Sequence, residues 1–318
     1  MYIIFLSVVI TAGVYPLFIK RMKESSFNQE VSEYSLKEFK EKAKTPTMGG
    51  IVFVLVTIFL TLVNKELAND FNLMLVVLAF AGYAVIGFID DYLIVVKKNN
   101  DGLKASYKFG MQLILAVAFY LIYQGSADTT ISIPLTQIVI DAKIFYVLVV
   151  LFMFTGASNA VNITDGMDGL SAGTVILALI PFAYAAHLQG QEGVLLFIFA
   201  LIGSLVGYLI YNFSPAKVFM GDAGSLALGG VLAALAMVLK LEFALIIIGG
   251  VFVIETLTVI LQIASVKIRK KKLFPYTPIH YTFKLQGHKE RNIVLGFYGF
   301  GFILMLISLW IVSLWKQY

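Results

Sequence analysis

Ten runs of mostly apolar residues, each close to the length of a membrane-crossing helix, recur along the chain. They lie at approximately 2–19, 48–64, 71–89, 108–125, 144–161, 171–187, 193–212, 223–239, 244–266 and 293–315. A helix that crosses the bilayer hydrocarbon needs about 20 such residues. Charged or turn-forming segments separate each pair of runs. Pro16 and Pro181 fall inside two of them, where neighbouring helices can re-satisfy the backbone. Only 14% of the 318 residues are charged, against roughly 25% in soluble domains. No core in a chain of this length could hide so much apolar surface, so the bilayer must be the solvent. The pattern predicts an all-α polytopic membrane protein, one domain over 1–318. The first run has no basic stretch before it and no small-x-small cleavage site before Lys20-Arg21-Met22-Lys23, so it reads as a retained span.

The cations give these spans a direction. One set of loops carries every basic residue except Lys65, Lys143, Lys240 and Lys316. By the positive-inside rule those loops are cytosolic, and ten spans then put both termini outside. The net charge of +5 belongs to these loop flanks, where topology and anionic headgroups explain it. No nucleic-acid partner is expected. Without cysteine there is neither a disulfide framework nor a thiolate zinc site. The three histidines, His187, His280 and His288, are too scattered for a polyhistidine metal site.

Carboxylates collect on the same side: Asp90, Asp91, Asp101, Asp165, Asp168 and Asp222, all expected at or near helix ends. Acids abutting hydrocarbon are costly and usually mark an ion, proton or substrate site. The first group is Gly87-Phe88-Ile89-Asp90-Asp91-Tyr92, whose adjacent acids cannot share one helix face; a plain polar cap is the bland alternative. The second runs from Asn159 to Gly169 and places Asn159, Asn162, Asp165 and Asp168 every three residues, on adjoining helical faces. Gly166 and Gly169 would let backbone approach a ligand there. The third, Pro215 to Ser225, sets Asp222 just before a span with Gly221 and Gly224 around it.

An oxygen ligand such as Asp222 suits Mg²⁺, which takes one or two carboxylates and completes its shell with water and substrate phosphates. Lys217 offers a point charge for phosphate. Upstream, the segment from Lys42 to Gly50 adds Lys42, Lys44, Thr45 and Thr47 at the mouth of the second span, although a helix entry with proline near its start reads similarly. After the ninth run, His280 lies between Pro278 and two aromatics and is a candidate donor to a phosphate or sugar. Glu255, deep within that run, reads as a hydrogen-bonded structural acid, with part of a lipid-facing groove as the alternative. Acids for a metal, cations for phosphate and amides for a heterocycle, gathered beside hydrocarbon, suit phosphoryl transfer from a soluble nucleotide to a membrane-dissolved acceptor. Asp90, Asp168 and Asp222 are expected to meet around one Mg²⁺. A transporter or channel would instead place its acids near the bilayer midplane, on discontinuous helices.

Four of these motifs carry a resemblance. Lys-x-x-Thr-Pro-Thr-Met-Gly-Gly from Lys42, Gly-Phe-Ile-Asp-Asp-Tyr to Tyr92, Asn-Ala-Val-Asn-Ile-Thr-Asp-Gly-Met-Asp-Gly to Gly169, and Pro-Ala-Lys-Val-Phe-Met-Gly-Asp to Asp222 resemble, in order and spacing, the bacterial phospho-N-acetylmuramoyl-pentapeptide-transferase family, or translocase I. The resemblance runs over essentially the whole chain. It implies ten spans with both termini outside, a homodimer, and a site facing the cytosol of the bacterial inner membrane. It also implies transfer of phospho-MurNAc-pentapeptide from UDP-MurNAc-pentapeptide to undecaprenyl phosphate, giving lipid I and UMP with Mg²⁺. Asp90 falls where the family's proposed base or lipid-phosphate contact lies, with Asp91 beside it, and Asp222 matches the Mg²⁺ ligand. Lys42, Thr47, Asn162, Asp165, Asp168 and Asn212 match positions lining the nucleotide pocket, and His280 matches the first histidine of a cytosolic catalytic motif.

Two departures stand out. The family's three histidines followed by Phe-Glu are His280-Tyr281-Thr282-Phe283-Lys284 here, and the loop from Lys20 to Lys44 lacks the usual Arg-Glu-Glu-Gly-Pro-like stretch. The alternative expectation is a sister enzyme that transfers GlcNAc-1-phosphate from UDP-GlcNAc to undecaprenyl phosphate.

Overall fold

The computed structural model describes residues 2–24, 45–64, 69–97, 102–123, 129–136 and 138–314. Lys42 and Asp101 lie outside the described residues. In chain order the elements are α1 (Tyr2–Glu24), α2 (Gly50–Leu62), α3 (Phe71–Lys97), α4 (Ala105–Tyr123), β1 (Thr130–Ser132), β2 (Val139–Asp141), α5 (Tyr146–Thr164), α6 (Leu170–Leu188), α7 (Glu192–Asn212), α8 (Asp222–Val238), α9 (Leu245–Ile248), α10 (Gly250–Arg269), α11 (Ile279–Leu285) and α12 (Glu290–Leu314). Eight of these helices are long and apolar enough to cross a membrane, so the chain is a polytopic, all-α integral membrane protein. The other two expected spans appear as the shorter apolar helices α2 and α8.

Helix α8 is the hub. Every residue from Ala223 to Val238 is buried, so its uniformly apolar surface faces protein on all sides. Helices in lipid gain little from hiding apolar surface and associate through close packing of small residues. The sequence of α8 supplies those residues: Gly230 lies against the ring of Tyr83 on α3, and Gly229 lies against the backbone of Ala157 and Ser158 on α5. At the helix start, Gly87 of α3 rests on the backbone carbonyl of Asp222, where any side chain would collide. This contact brings the carboxylates of α3 to the N-terminus of α8. Helix α1 is tied in from outside by Tyr15, whose hydroxyl donates to the Gly49 carbonyl at 2.8 Å.

Three features depart from the sequence reading. Helix α3 continues to Lys97, so Asp90 and Asp91 lie inside a helix rather than at its end. Both acids find partners on neighbouring elements, which removes the reason for the helix to stop. The run 244–266 is broken at Gly249 into α9 and α10, because the Gly249-Gly250 pair is a weak helix former. Between α4 and α5 the chain forms an antiparallel hairpin pairing Thr130 with Asp141, Ile131 with Ile140 and Ser132 with Val139.

Candidate active site

The scaffold of the site is a short backbone pairing. Phe219 N–H donates to the Pro46 carbonyl at 2.8 Å, while Gly49 and Gly50 N–H donate to the carbonyls of Phe219 and Met220, each at 2.8 Å. The segment carrying Thr47 therefore runs alongside the approach to α8. Gly221 then turns with φ +72°, a conformation that L side chains rarely adopt, and Asp222 opens the helix.

Asp91 completes that turn. Its Oδ1 accepts the Asp222 N–H and its Oδ2 the Ala223 N–H, both at 3.0 Å. The first N–H groups of a helix have no partner within the helix and attract a negative charge. Asp91, reaching in from α3, serves as the missing cap and is itself 5% exposed. Its neighbour Asp90 points elsewhere. Asp90 Oδ1 accepts the Leu103 N–H at 2.6 Å, and Oδ2 takes the Lys108 ammonium at 3.0 Å. Lys108 also donates to Asp222 Oδ2. From α5, Asn162 Nδ2 donates to Asp222 Oδ1 at 2.7 Å and to Ser225 Oγ at 2.8 Å.

The result is a centre in which Asp90 and Asp222 share one cation. Its open side is that of Asp222 and Lys108, whose side chains are 22% and 20% exposed against 6% for Asp90. In the sequence Lys108 is one loop cation among many. Its place inside the first turn of an expected span is the signal that it faces protein acids.

The second predicted motif divides. Asp165 caps α5 and its carboxylate has no hydrogen-bond partner among the described residues. Burial, reinforced by the charges of Asp222 and Asp168, pushes its pKa up to about 7. Asp168 is engaged by neighbouring segments: its Oδ2 accepts the Ala216 N–H at 3.0 Å, and its backbone N–H donates to Glu290 at 2.9 Å. The expectation that Asp90, Asp168 and Asp222 surround one ion is therefore corrected to a pair, Asp90 and Asp222. Among the described residues there is no group of three or more Asp, Glu or His side chains spaced to hold a metal.

Asn212 joins loops. Its Oδ1 accepts the Gly169 N–H and its Nδ2 donates to the Val218 carbonyl, both at 2.9 Å. Lys217 is exposed beside them. His280, on α11, is fully buried behind the loop, with its Nε2 against Gly166 and its Nδ1 3.1 Å from Glu255 Oε2, outside hydrogen-bond alignment. Glu255 is fully buried rather than facing lipid, and it meets the helix behind the site without a hydrogen bond to its carboxylate among the described residues. Tyr281, where the resemblance implies a histidine, donates to the Gly166 carbonyl at 3.2 Å, and Lys284 pairs with Glu290 at 3.1 Å.

Two carboxylates on different helices, already arranged around a cation and open on one side, fit an ion that keeps water and phosphate oxygens in its shell. Mg²⁺ is such an ion.

Comparison with known proteins decides the family. Residues 73–240 match the family model described as Glycosyl transferase family 4, and residues 42–54 match phospho-N-acetylmuramoyl-pentapeptide-transferase signature 1. Relatives named phospho-N-acetylmuramoyl-pentapeptide-transferase from Bacillus cytotoxicus and Bacillus mycoides are each 44% identical, over 307 and 305 residues, covering 95% of this chain and 94% of theirs. One from Bacillus thuringiensis is 43% identical over 307 residues, with the same coverage. The chain belongs to the phospho-N-acetylmuramoyl-pentapeptide-transferase family. Such relatives count against the UDP-GlcNAc alternative. Within this family, the departures at Tyr281, Thr282 and Lys284 fall on α11 and leave the Asp90–Asp222 centre complete.

Proposed function

We propose that the chain transfers phospho-N-acetylmuramoyl-pentapeptide from UDP-MurNAc-pentapeptide to undecaprenyl phosphate, forming lipid I and UMP at the cytosolic face of the bacterial inner membrane. The observation that carries this reading is the Asp90–Lys108–Asp222–Asn162 centre, held at one end of a lipid-embedded bundle by the Asp91 cap. Cytosolic orientation is supported by the basic residues of that end, including Lys217, Lys267, Arg269 and Arg291. With α2 and α8 counted as spans, ten crossings leave both termini outside, in one membrane domain over 1–318. Family likeness supports assembly as a homodimer.

In the proposed reaction an oxygen of the acceptor phosphate attacks the β-phosphorus of the UDP-sugar. The bond to the bridging oxygen breaks, and UMP leaves with both bonding electrons. Asp90 sits beside Lys108, where it would accept the acceptor's proton if the phosphate arrives protonated. Asp222, with Asp90 beside it, would hold Mg²⁺, which when bound would neutralise charge that develops on the diphosphate. Lys108, once released from the carboxylates, is placed to bind phosphate oxygens, and Lys217 would do so from the rim; Lys42 is given a phosphate-binding role by the family resemblance alone. Thr47, Asn162, Asp165, Asp168 and Asn212 line or brace the nucleotide and sugar side. His280 braces the Asp165–Gly169 loop from behind. An apolar cavity of about 470 Å³, bounded by Ile254, Ile279, Phe283 and Phe297, lies beside α11 and suits an isoprenoid chain.

The test is UMP release by the purified chain with UDP-MurNAc-pentapeptide or UDP-GlcNAc, each with and without undecaprenyl phosphate. Release is expected only with the pentapeptide donor and the lipid together. Release with UDP-GlcNAc alone among the donors would overturn the substrate assignment.

A further inference from the structure

The hairpin between α4 and α5 sits at the end of the bundle opposite the carboxylates, since α4 begins and α5 ends at the site. Its tip is built against ordinary turn chemistry. Thr136 N–H donates to the Ile133 carbonyl at 3.2 Å, which closes a four-residue turn with Pro134 second and Leu135 third. Leu135 has φ +63°, and the third position of such a turn normally goes to glycine or asparagine, because a Cβ is disfavoured there. The turn is nevertheless held firmly: the Thr136 hydroxyl donates to the Ile133 carbonyl at 2.9 Å and accepts the Ile138 N–H at 3.1 Å. The chain therefore maintains a disfavoured backbone and uses it to display a leucine that is 58% exposed. A non-glycine residue kept in a sparsely populated region points to a role for its side chain.

The rest of the surface agrees. Ile138, Ile144 and Phe145 are exposed. Phe145 continues, at spacings of three and four, into Leu148 and Phe152 of α5, which are 58% and 78% exposed on a membrane-crossing helix. The apolar face of the hairpin is thus continuous with the exposed apolar face of a membrane-crossing helix. Between 129 and 145 the only charges are Asp141 and Lys143, and Asp141 is engaged locally: its Oδ1 accepts the Thr129 hydroxyl at 2.7 Å and the Lys143 N–H at 3.2 Å. The segment has no basic cluster for an acidic partner.

We propose that the hairpin is a lipid-inserted wedge, with Leu135 and Ile138 lodged in the interfacial region of the leaflet opposite the active site. Insertion rests on apolar contact, so it is indifferent to lipid charge and salt. Because the chain has no cysteine, single-cysteine nitroxide labels can be placed without background. Labels at Leu135→Cys and Ile138→Cys, in the full chain reconstituted in nanodiscs, should collide with oxygen more than with a water-soluble nickel chelate, as a Phe152→Cys label does and a Lys143→Cys label does not. The unaltered protein should also be photolabelled within residues 129–145 by a diazirine phospholipid, read by mass spectrometry; this arm needs no variant to fold. Nickel-accessible labels with no lipid adduct on the hairpin would overturn the proposal. So would labels shielded from both quenchers, the pattern of a protein-covered surface.

Discussion

Asp91→Asn should destabilise the site through its backbone contacts to α8, and this separates it from Asp90. Both carboxylate oxygens of Asp91 accept backbone N–H groups of α8, at 3.0 Å each. Asparagine keeps one acceptor and turns an amide donor towards the other N–H, leaving it buried and unpaired. An orphaned buried donor costs about 1–3 kcal/mol. Loss of a negative charge at a partly buried helix N-terminus adds up to about 2 kcal/mol. A loss of roughly 2–4 kcal/mol is therefore expected for Asp91→Asn from these two effects. Asp90→Asn keeps an acceptor for the Leu103 N–H, and Lys108 keeps Asp222 as its counter-charge, so the loss should be smaller, about 1–2 kcal/mol. The assay is thermal unfolding in detergent alongside UMP release and nucleotide binding. Asp91→Asn should melt well below the parent with nucleotide affinity reduced. Asp90→Asn should melt near the parent and bind nucleotide, yet not turn over. An Asp91→Asn protein as stable as the parent, or near-normal turnover by Asp90→Asn, would refute the division of labour.

Gly166→Ala would press a methyl group onto His280 Nε2 and to within 2.7 Å of the Tyr281 hydroxyl; overpacking of this kind should cost about 1–3 kcal/mol, read as a lower melting temperature. His280→Leu removes the polar group that faces buried Glu255 and should lower the melting temperature, whereas the His280→Leu, Glu255→Leu double variant should melt higher than the single one. Asp165 gives a pH signature: its folded-state pKa of about 7 exceeds its unfolded value of 3.8, so the folded protein holds the proton more tightly. Stability in chelator should fall as pH rises from about 4 to about 7, by at most about 4 kcal/mol, and then level off. Asp165→Asn should flatten that slope, and an unchanged slope would remove Asp165 as its cause.

The membrane architecture is readable in the sequence because hydrocarbon imposes one strict demand, about 20 apolar residues per crossing, and each run of the chain declares itself locally. Helix ends are less readable. The acids of α3 look like a terminus until their partners are known, and those partners lie on α4 and α8, far along the chain. For the same reason Asp90 and Asp91 look interchangeable in the sequence. Adjacent residues point in different directions on a helix, and what each one meets depends on how α3 crosses α8. Asp222 and Asn162 stand out because polar, glycine-rich segments at span ends do little for packing in lipid. Lys108 is hidden among topology-setting lysines. The hairpin is invisible because three-residue strands carry little periodic signal, and its proline-leucine turn lacks the expected glycine.

The most direct test of a cation shared between helices is manganese binding followed by electron paramagnetic resonance in the purified full chain. One site is expected in the parent, with binding lost in Asp222→Ala, weakened in Asp90→Asn and unaffected by Lys217→Ala. Equal manganese affinity in the parent and in Asp222→Ala would contradict the Asp90–Asp222 centre as the place where the cation binds.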